Sequence, residues 1–337
     1  MQFRTSFDIL PFRSKIAHNS RLFVMGSCFS EMIGDKLAER KFCVLRNPFG
    51  TIFNPHALFL LLETSLSETP LEEALITAHQ GRFYHYQAHS KLSASSKEQL
   101  VELISHQQQV AKRELGEASH LFVTFGTAHV YELVGSGQVV ANCHKQPREL
   151  FQKRLLQLPE MMDSFRNFYK VLQAINPSAE IIVTVSPVRH IKDGIPENQL
   201  SKSLLRVLCH EMSQECQQVH YFPSYELMMD DLRDYRYYKD DMIHPTSFAE
   251  NYIWEQFKKG YFDDEALNTI KKIDAILNDL QHKPFHTESA SHQQFLQKLL
   301  TKMEQMGPTF DFSKEISVVT HQLNSHYKNV NHESQSQ

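Results

Sequence analysis

Five short apolar runs, alternating with helical patterns, leave this chain few folds to choose from. Arg21-Leu22-Phe23-Val24-Met25 stops at Gly26, and a helical pattern follows over 30–41 with Met32, Ile33 and Leu37 on its apolar side. Phe42-Cys43-Val44-Leu45 is the second run. His120-Leu121-Phe122-Val123-Thr124-Phe125 ends at Gly126, Glu180-Ile181-Ile182-Val183-Thr184-Val185 at Ser186-Pro187, and Val219-His220-Tyr221-Phe222 at Pro223. Helical patterns over 97–115, 161–175 and 198–217 separate them. A strand, a helix and a second strand in close succession form a parallel unit. Repeated, such units predict one doubly wound α/β sheet with ligands at the C-terminal ends of its strands.

The residues just after the strands are therefore the ones to read for function. They are Gly26-Ser27-Cys28-Phe29-Ser30, Asn47-Pro48-Phe49-Gly50-Thr51, Gly126-Thr127-Ala128-His129 and Ser186-Pro187-Val188-Arg189-His190. A last core helix starts near Ser247, where Ser247-Phe248-Ala249-Glu250 has capping-box spacing, and Gly260 marks its end. Asp240-Asp241-Met242-Ile243-His244-Pro245 stands directly before it. The α/β domain is expected over 1–261, with an insertion at about 55–95. A helical C-terminal extension over 262–307 and a polar, partly disordered tail over 308–337 follow.

Composition narrows the classes. Of 337 residues 41% are hydrophobic, which is enough for a substantial core. The charge of 35 − 39 = −4 gives no reason to expect a nucleic-acid partner. No apolar run approaches the ~20 residues of a membrane span. No signal-peptide pattern opens the chain, so a cytoplasmic protein is expected. Five scattered cysteines without a CxxC pair disfavour both a thiolate zinc site and a disulfide framework. Cys43, Cys209 and Cys216 fall in elements read as buried. No metal and no cofactor is expected: HExxH, GxGxxG after a strand and GxxxxGK[ST] are all missing.

Each motif has a chemical and a plain reading. A strand that stops at glycine and turns into a helix exposes the next side chain at a helix N-terminus, which lowers a thiol pKa or stabilises an oxyanion. The plain reading of Gly26-Ser27-Cys28 is a tight turn with a packed cysteine. Asp241, three residues before His244, can accept one imidazole proton so that the other nitrogen acts as base. With 19 histidines, about one Asp-x-x-His pair arises by chance, so its position after the last strand carries the weight. Gly50, Gly126 and Thr127 are oxyanion-donor candidates or ordinary turns. Asn142, His144, Asn47 and His129 line the cleft or belong to loops. Arg189 and His190 hold a substrate group or serve the fold.

Together these segments, in order over about 20–260, resemble the GSCFA-domain family, with Ser30 where the family's name has Ala. That family is similar to the SGNH (GDSL-type) hydrolases. The resemblance implies a flavodoxin-like three-layer α/β fold with about five parallel strands, and ester or acyl chemistry. By register with the Gly-Asp-Ser-Leu block, Gly26 matches the Gly, Ser27 the Asp and Cys28 the Ser. Cys28 is then the nucleophile and Ser27 the competing candidate. Gly50 matches the second-block Gly. Gly126-Thr127-Ala128 meets the third block's Gly-x-Asn without its Asn, leaving Thr127 or Asn142 to replace that donor. Asp241 and His244 match the last block. The expected activity is ester hydrolysis through a Cys (or Ser)–His–Asp triad on a small-molecule or carbohydrate ester. The alternatives are O-acyl transfer to a sugar-like acceptor, or a binding module that has lost turnover.

Overall fold

The computed structural model describes residues 4–282, 284–286 and 289–334, with side chains to residue 324. Five parallel strands form the central sheet: β1 (Arg21–Gly26), β2 (Cys43–Arg46), β3 (His120–Phe125), β4 (Glu180–Val185) and β5 (Val219–Tyr221). Their spatial order is β2-β1-β3-β4-β5. This is the flavodoxin-like order, in which the chain reverses its direction of travel between β1 and β3 and leaves a crevice there.

The strands read as near-continuous apolar runs because both sheet faces are covered. Phe23, Met25, Leu121, Val123, Phe125, Ile181, Val183 and Val185 alternate along three strands and share one core. That core is closed by α2 (Pro55–Leu66), α3 (Lys97–Glu117), α4 (Leu158–Ile175) and α5 (Ile195–Glu215). On the other face Phe122 meets Phe257 of α6 (Ser247–Tyr261) edge-on, and α1 (Cys28–Glu39) buries Phe29, Ile33 and Leu37.

Four local expectations change. The stretch read as an insertion from residue 55 begins with α2, whose Ala57, Leu58, Phe59, Leu61 and Leu62 are fully buried in the main core. Only the part after it is an addition, an antiparallel sheet of Ile76–His79, Arg82–His85 and Ser93–Ala94. A second such sheet, of His129–Leu133, Val139–Val140 and Phe151–Leu155, was not foreseen. The cap of α6 is Thr246, not Ser247: its side chain accepts the Ala249 N–H. Gly260 does not end that helix. It is there because an added Cβ would stand 2.6 Å from Ile9. Cys43 is exposed, since β2 is an edge strand.

Met1–Ala38 and Phe42–Asp263 make one compact unit, and Glu39–Lys41 with Asp264–Gln337 the other. The second unit holds α7 (Asp264–Gln281), α8 (Ala290–Met306) and α9 (Ser313–Ser334). Its small core contains Ile273, Ile276, Leu296, Leu299, Met303, Phe312, Val319 and Leu323. The tail expected to be partly disordered is therefore mostly helix, because Phe312, Val319 and Leu323 give it an apolar stripe to bury. Residues 335–337 of that expectation lie outside the described residues.

Candidate active site at the sheet edge

The turn after β1 is tightly specified. Gly26 has φ 140°, and a Cβ there would lie 2.1 Å from the Thr124 carbonyl oxygen, so only glycine fits between β1 and β3. Its N–H donates to Asn47 Oδ1 at 2.9 Å, and its carbonyl accepts the Ile52 N–H at 2.9 Å. Asn47, read as a substrate contact, is thus a brace between the β1 and β2 turns.

Ser27 is 1% exposed. Its N–H donates to Thr124 O, its Oγ accepts the Phe29 N–H at 3.3 Å, and its carbonyl accepts the Ser30 hydroxyl at 2.6 Å. Cys28 follows, half-buried at the first position of α1. Burial, followed by the charge of Glu31, pushes its thiol above the usual value; its own backbone N–H and Lys91 pull the other way. The expected lowering of the thiol pKa is therefore reversed. The helix N-terminus is outweighed by desolvation and by an acidic residue in its first turn.

Across the sheet edge, His244 Nδ1 donates to Asp241 Oδ2 at 2.7 Å. Asp241 Oδ1 accepts the N–H groups of Ile243 at 2.8 Å and His244 at 2.9 Å. These bonds hold the Asp241 carboxyl down at about 2. Nε2 of His244 is the nitrogen left to act as base. The loop is docked on the turn after β4: Arg189 N–H donates to Ile243 O at 3.2 Å and its guanidinium to Met242 O at 3.0 Å. His190 packs edge-on against Phe53, and its Nε2 lies 3.2 Å from where a Gly126 Cβ would stand. Burial, then the charges of Lys202 and His244, push His190 down to about 3.

The turns of β1, β3 and β4 and the Asp241–His244 loop are thus linked through Thr124, Gly126, His190 and Arg189. Cys28 Sγ makes no hydrogen bond to His244 in this arrangement, and such contacts often tighten only on binding.

Several expected donors are already engaged. Gly50 N–H closes its turn on Asn47 O at 2.8 Å, and Gly126 and Thr127 both donate to Phe53 O, at 2.8 and 3.1 Å. Thr127 Oγ1 pairs with Ser201 Oγ at 3.1 Å and accepts the His129 N–H. Asn142 Oδ1 accepts the His144 N–H, and the buried His144 ring bonds Ser90 Oγ and His85 O. His144 is a structural residue of the added sheet. His129 Nε2 lies 3.9 Å from Glu197. Among the backbone N–H groups of the proposed oxyanion donors, those of Gly50, Gly126, Thr127 and Asn142 are engaged, and that of Cys28 at the start of α1 is not tied across a turn.

Sequence reading missed the inner face of α5. Asn198, Ser201 and Lys202 are buried there and bond the turns after β3 and β4. The signal was available: 198, 201, 202, 205, 208, 209 and 212 form one helical stripe, so a lysine stood at a core position. Beside the Arg189 turn, Met228, Met229, Leu232, Tyr235 and Tyr238, together with the charged Arg189, Arg233 and Asp234, line a cavity of about 220 Å³. Among the described residues, no group of three His, Cys, Asp or Glu side chains is placed to hold a metal ion. Nor is any helix long and apolar enough to cross a membrane.

Gly26, Cys28, Asp241 and His244 all fall within one family match. The family model of the GSCFA family matches residues 21–257. This chain belongs to the GSCFA family. The model of the C-terminal domain of GSCFA domain proteins matches residues 273–325, which fall within the three-helix unit. No curated protein matches the chain. The GSCFA match covers all five strands, the turns after them, and Asp241 and His244.

Proposed function

We propose that this protein is an SGNH-like ester hydrolase in which Cys28 attacks, His244 is the general base and Asp241 orients it. The observation that carries this reading is the Asp241–His244 pair, held by three hydrogen bonds on the sheet edge that also bears Cys28. Between the two nucleophile candidates, burial of Ser27 and engagement of its hydroxyl favour Cys28.

With its pKa raised, the Cys28 thiol is neutral at pH 7. His244 Nε2 then removes the proton as sulfur bonds the ester carbonyl carbon. The Cys28 N–H and the N-terminus of α1 face the oxyanion. Collapse expels the alcohol, which takes the proton from His244. Water, deprotonated by the same nitrogen, then cleaves the thioester and regenerates the thiol. The cavity beside Arg189, with methionine and tyrosine walls and charged groups at Arg189, Arg233 and Asp234, is the space offered for a substrate group. The five unpaired thiols support a reducing, cytoplasmic setting.

A second reading, a binding module of the same fold, draws on the engaged N–H groups of Gly50, Gly126 and Thr127. A screen of small ester and thioester substrates on wild type, Cys28→Ala and Ser27→Ala separates the two. Turnover lost in Cys28→Ala supports the enzyme; a chain inert to all of them supports the binder.

A further inference from the structure

β3 and β4 pair as far as Phe125 and Val185 and then separate, which leaves the carbonyls of Gly126 and Ser186 facing away from the ladder. Lys202, 1% exposed, bridges them: its Nζ donates to Gly126 O at 2.7 Å and Ser186 O at 2.8 Å. One position earlier on α5, Ser201 Oγ accepts the Ala128 N–H at 2.8 Å and pairs with Thr127 Oγ1. One turn earlier, Asn198 Oδ1 accepts the His190 N–H at 2.7 Å. Three buried polar side chains on one helix therefore hold the backbone of both turns. A methionine would fill the space of Lys202; only a donor with several N–H groups serves both carbonyls.

We infer that Lys202, supported by Ser201 and Asn198, is a positioning residue of the proposed site, clamping the turns after β3 and β4 so that His190 is fixed beside the Asp241–His244 loop. The inference rests on reading this sheet edge as the active site. It also accounts for Ala128 standing where an Asn was expected: the Ala128 N–H is held by Ser201, so the turn is braced from the helix instead.

His190 reports on the clamp. The groups that face it are Lys202 on α5, Lys153 on the neighbouring antiparallel sheet, Asp193 in its own turn and His244, with Phe53 packed on the ring. Burial, followed by the charge of Lys202, keeps it neutral, and Lys202 is itself pushed down to about 7 by its own burial. The test is Lys202→Met in the full chain, first checked for a native melting transition, then read by NMR titration of the His190 ring between pH 5 and 8 and by ester turnover. Wild-type His190 should not titrate in that window. In the variant the His190 ring and amide signals should shift because the turn that holds them is released, and kcat should fall at least ~10-fold with KM within ~3-fold, as for lost positioning rather than lost binding.

A natively melting variant with unmoved His190 signals and unchanged kcat would reduce Lys202 to a packing residue and overturn the inference. If Lys202→Met does not fold, Ser201→Ala takes its place: shifted amide signals for Thr127 and Ala128 are expected, and unmoved signals refute the clamp. Absence of ester turnover in wild type would sink the enzymatic reading alone, because the NMR readout needs no substrate.

Discussion

His244 is bonded to Asp241 through both its backbone N–H and its imidazole Nδ1, so one carboxylate fixes the ring's position and its tautomer together. Both side chains are about two-fifths exposed, which leaves the pair little structural purpose beyond ordering its own loop. Replacing His244 with Ala should leave the melting temperature nearly unchanged and cut ester turnover by ~10²-fold or more. Steady-state kinetics beside a thermal melt checks this; turnover within tenfold of wild type would make the histidine structural.

Ser27 and Cys28 should separate by stability. Ser27→Ala removes the acceptor of the Phe29 N–H inside a closed turn, and a cost of ~0.5–2 kcal/mol is expected, as for a lost helix cap. Cys28→Ala should cost less while abolishing turnover. Denaturant unfolding of both variants reads the difference.

Gly26→Ala should be the most damaging single change at the site. The new methyl would meet the Thr124 carbonyl at 2.1 Å with φ at 140°, so β1 and β3 must part. A loss above ~3 kcal/mol, or failure to fold, is expected; near-normal stability would mean the β1 turn tolerates another conformation.

Acid should destabilise the fold before it discharges Asp241. Burial pushes His85 down to about 4 and His190 to about 3, so both stay neutral in the folded state while their unfolded forms take up protons near pH 6.5. The unfolded state then binds more protons between pH 6.5 and 4, so stability falls as pH drops through that range, by up to ~1.4 kcal/mol per unit for each group. Asp241 holds its charge to about pH 2, so its pairing with His244 should outlast this loss. Melting temperatures from pH 7.5 to 4 check the sign.

The framework was legible because apolar runs of strand length alternate with helical stripes, and the doubly wound sheet follows from that alternation. Gly26, Cys28, Asp241 and His244 were legible as candidates because topology sends the ends of parallel strands to one edge. What stayed hidden depends on contacts far apart in sequence. Whether the Gly50 or Gly126 N–H is available is decided by Asn47 O and Phe53 O, which no spacing rule predicts. The thiol shift at Cys28 came out opposite in sign because burial outweighed the helix terminus. The Asn198–Ser201–Lys202 face was written in the helical period, but what its polar groups bond is set by the turns after β3 and β4, far away in sequence.

Thiol accessibility follows from the same geometry. Cys43, exposed on the edge strand, should alkylate with iodoacetamide first, Cys28 later, and the buried Cys209 and Cys216 last. Peptide mass spectrometry over a time course gives the order. Cys28 reacting with Cys209 and Cys216 would mean the site is closed.

The central claim is that Cys28 carries the acyl group. Rapid-quench mass spectrometry of the full chain with p-nitrophenyl acetate tests it most directly. An acetyl thioester on Cys28 is predicted in wild type, none in Cys28→Ala, and one formed ~100-fold or more slowly in His244→Ala. Ester turnover that continues in Cys28→Ala, or an acetyl group found on Ser27 instead, would contradict the account.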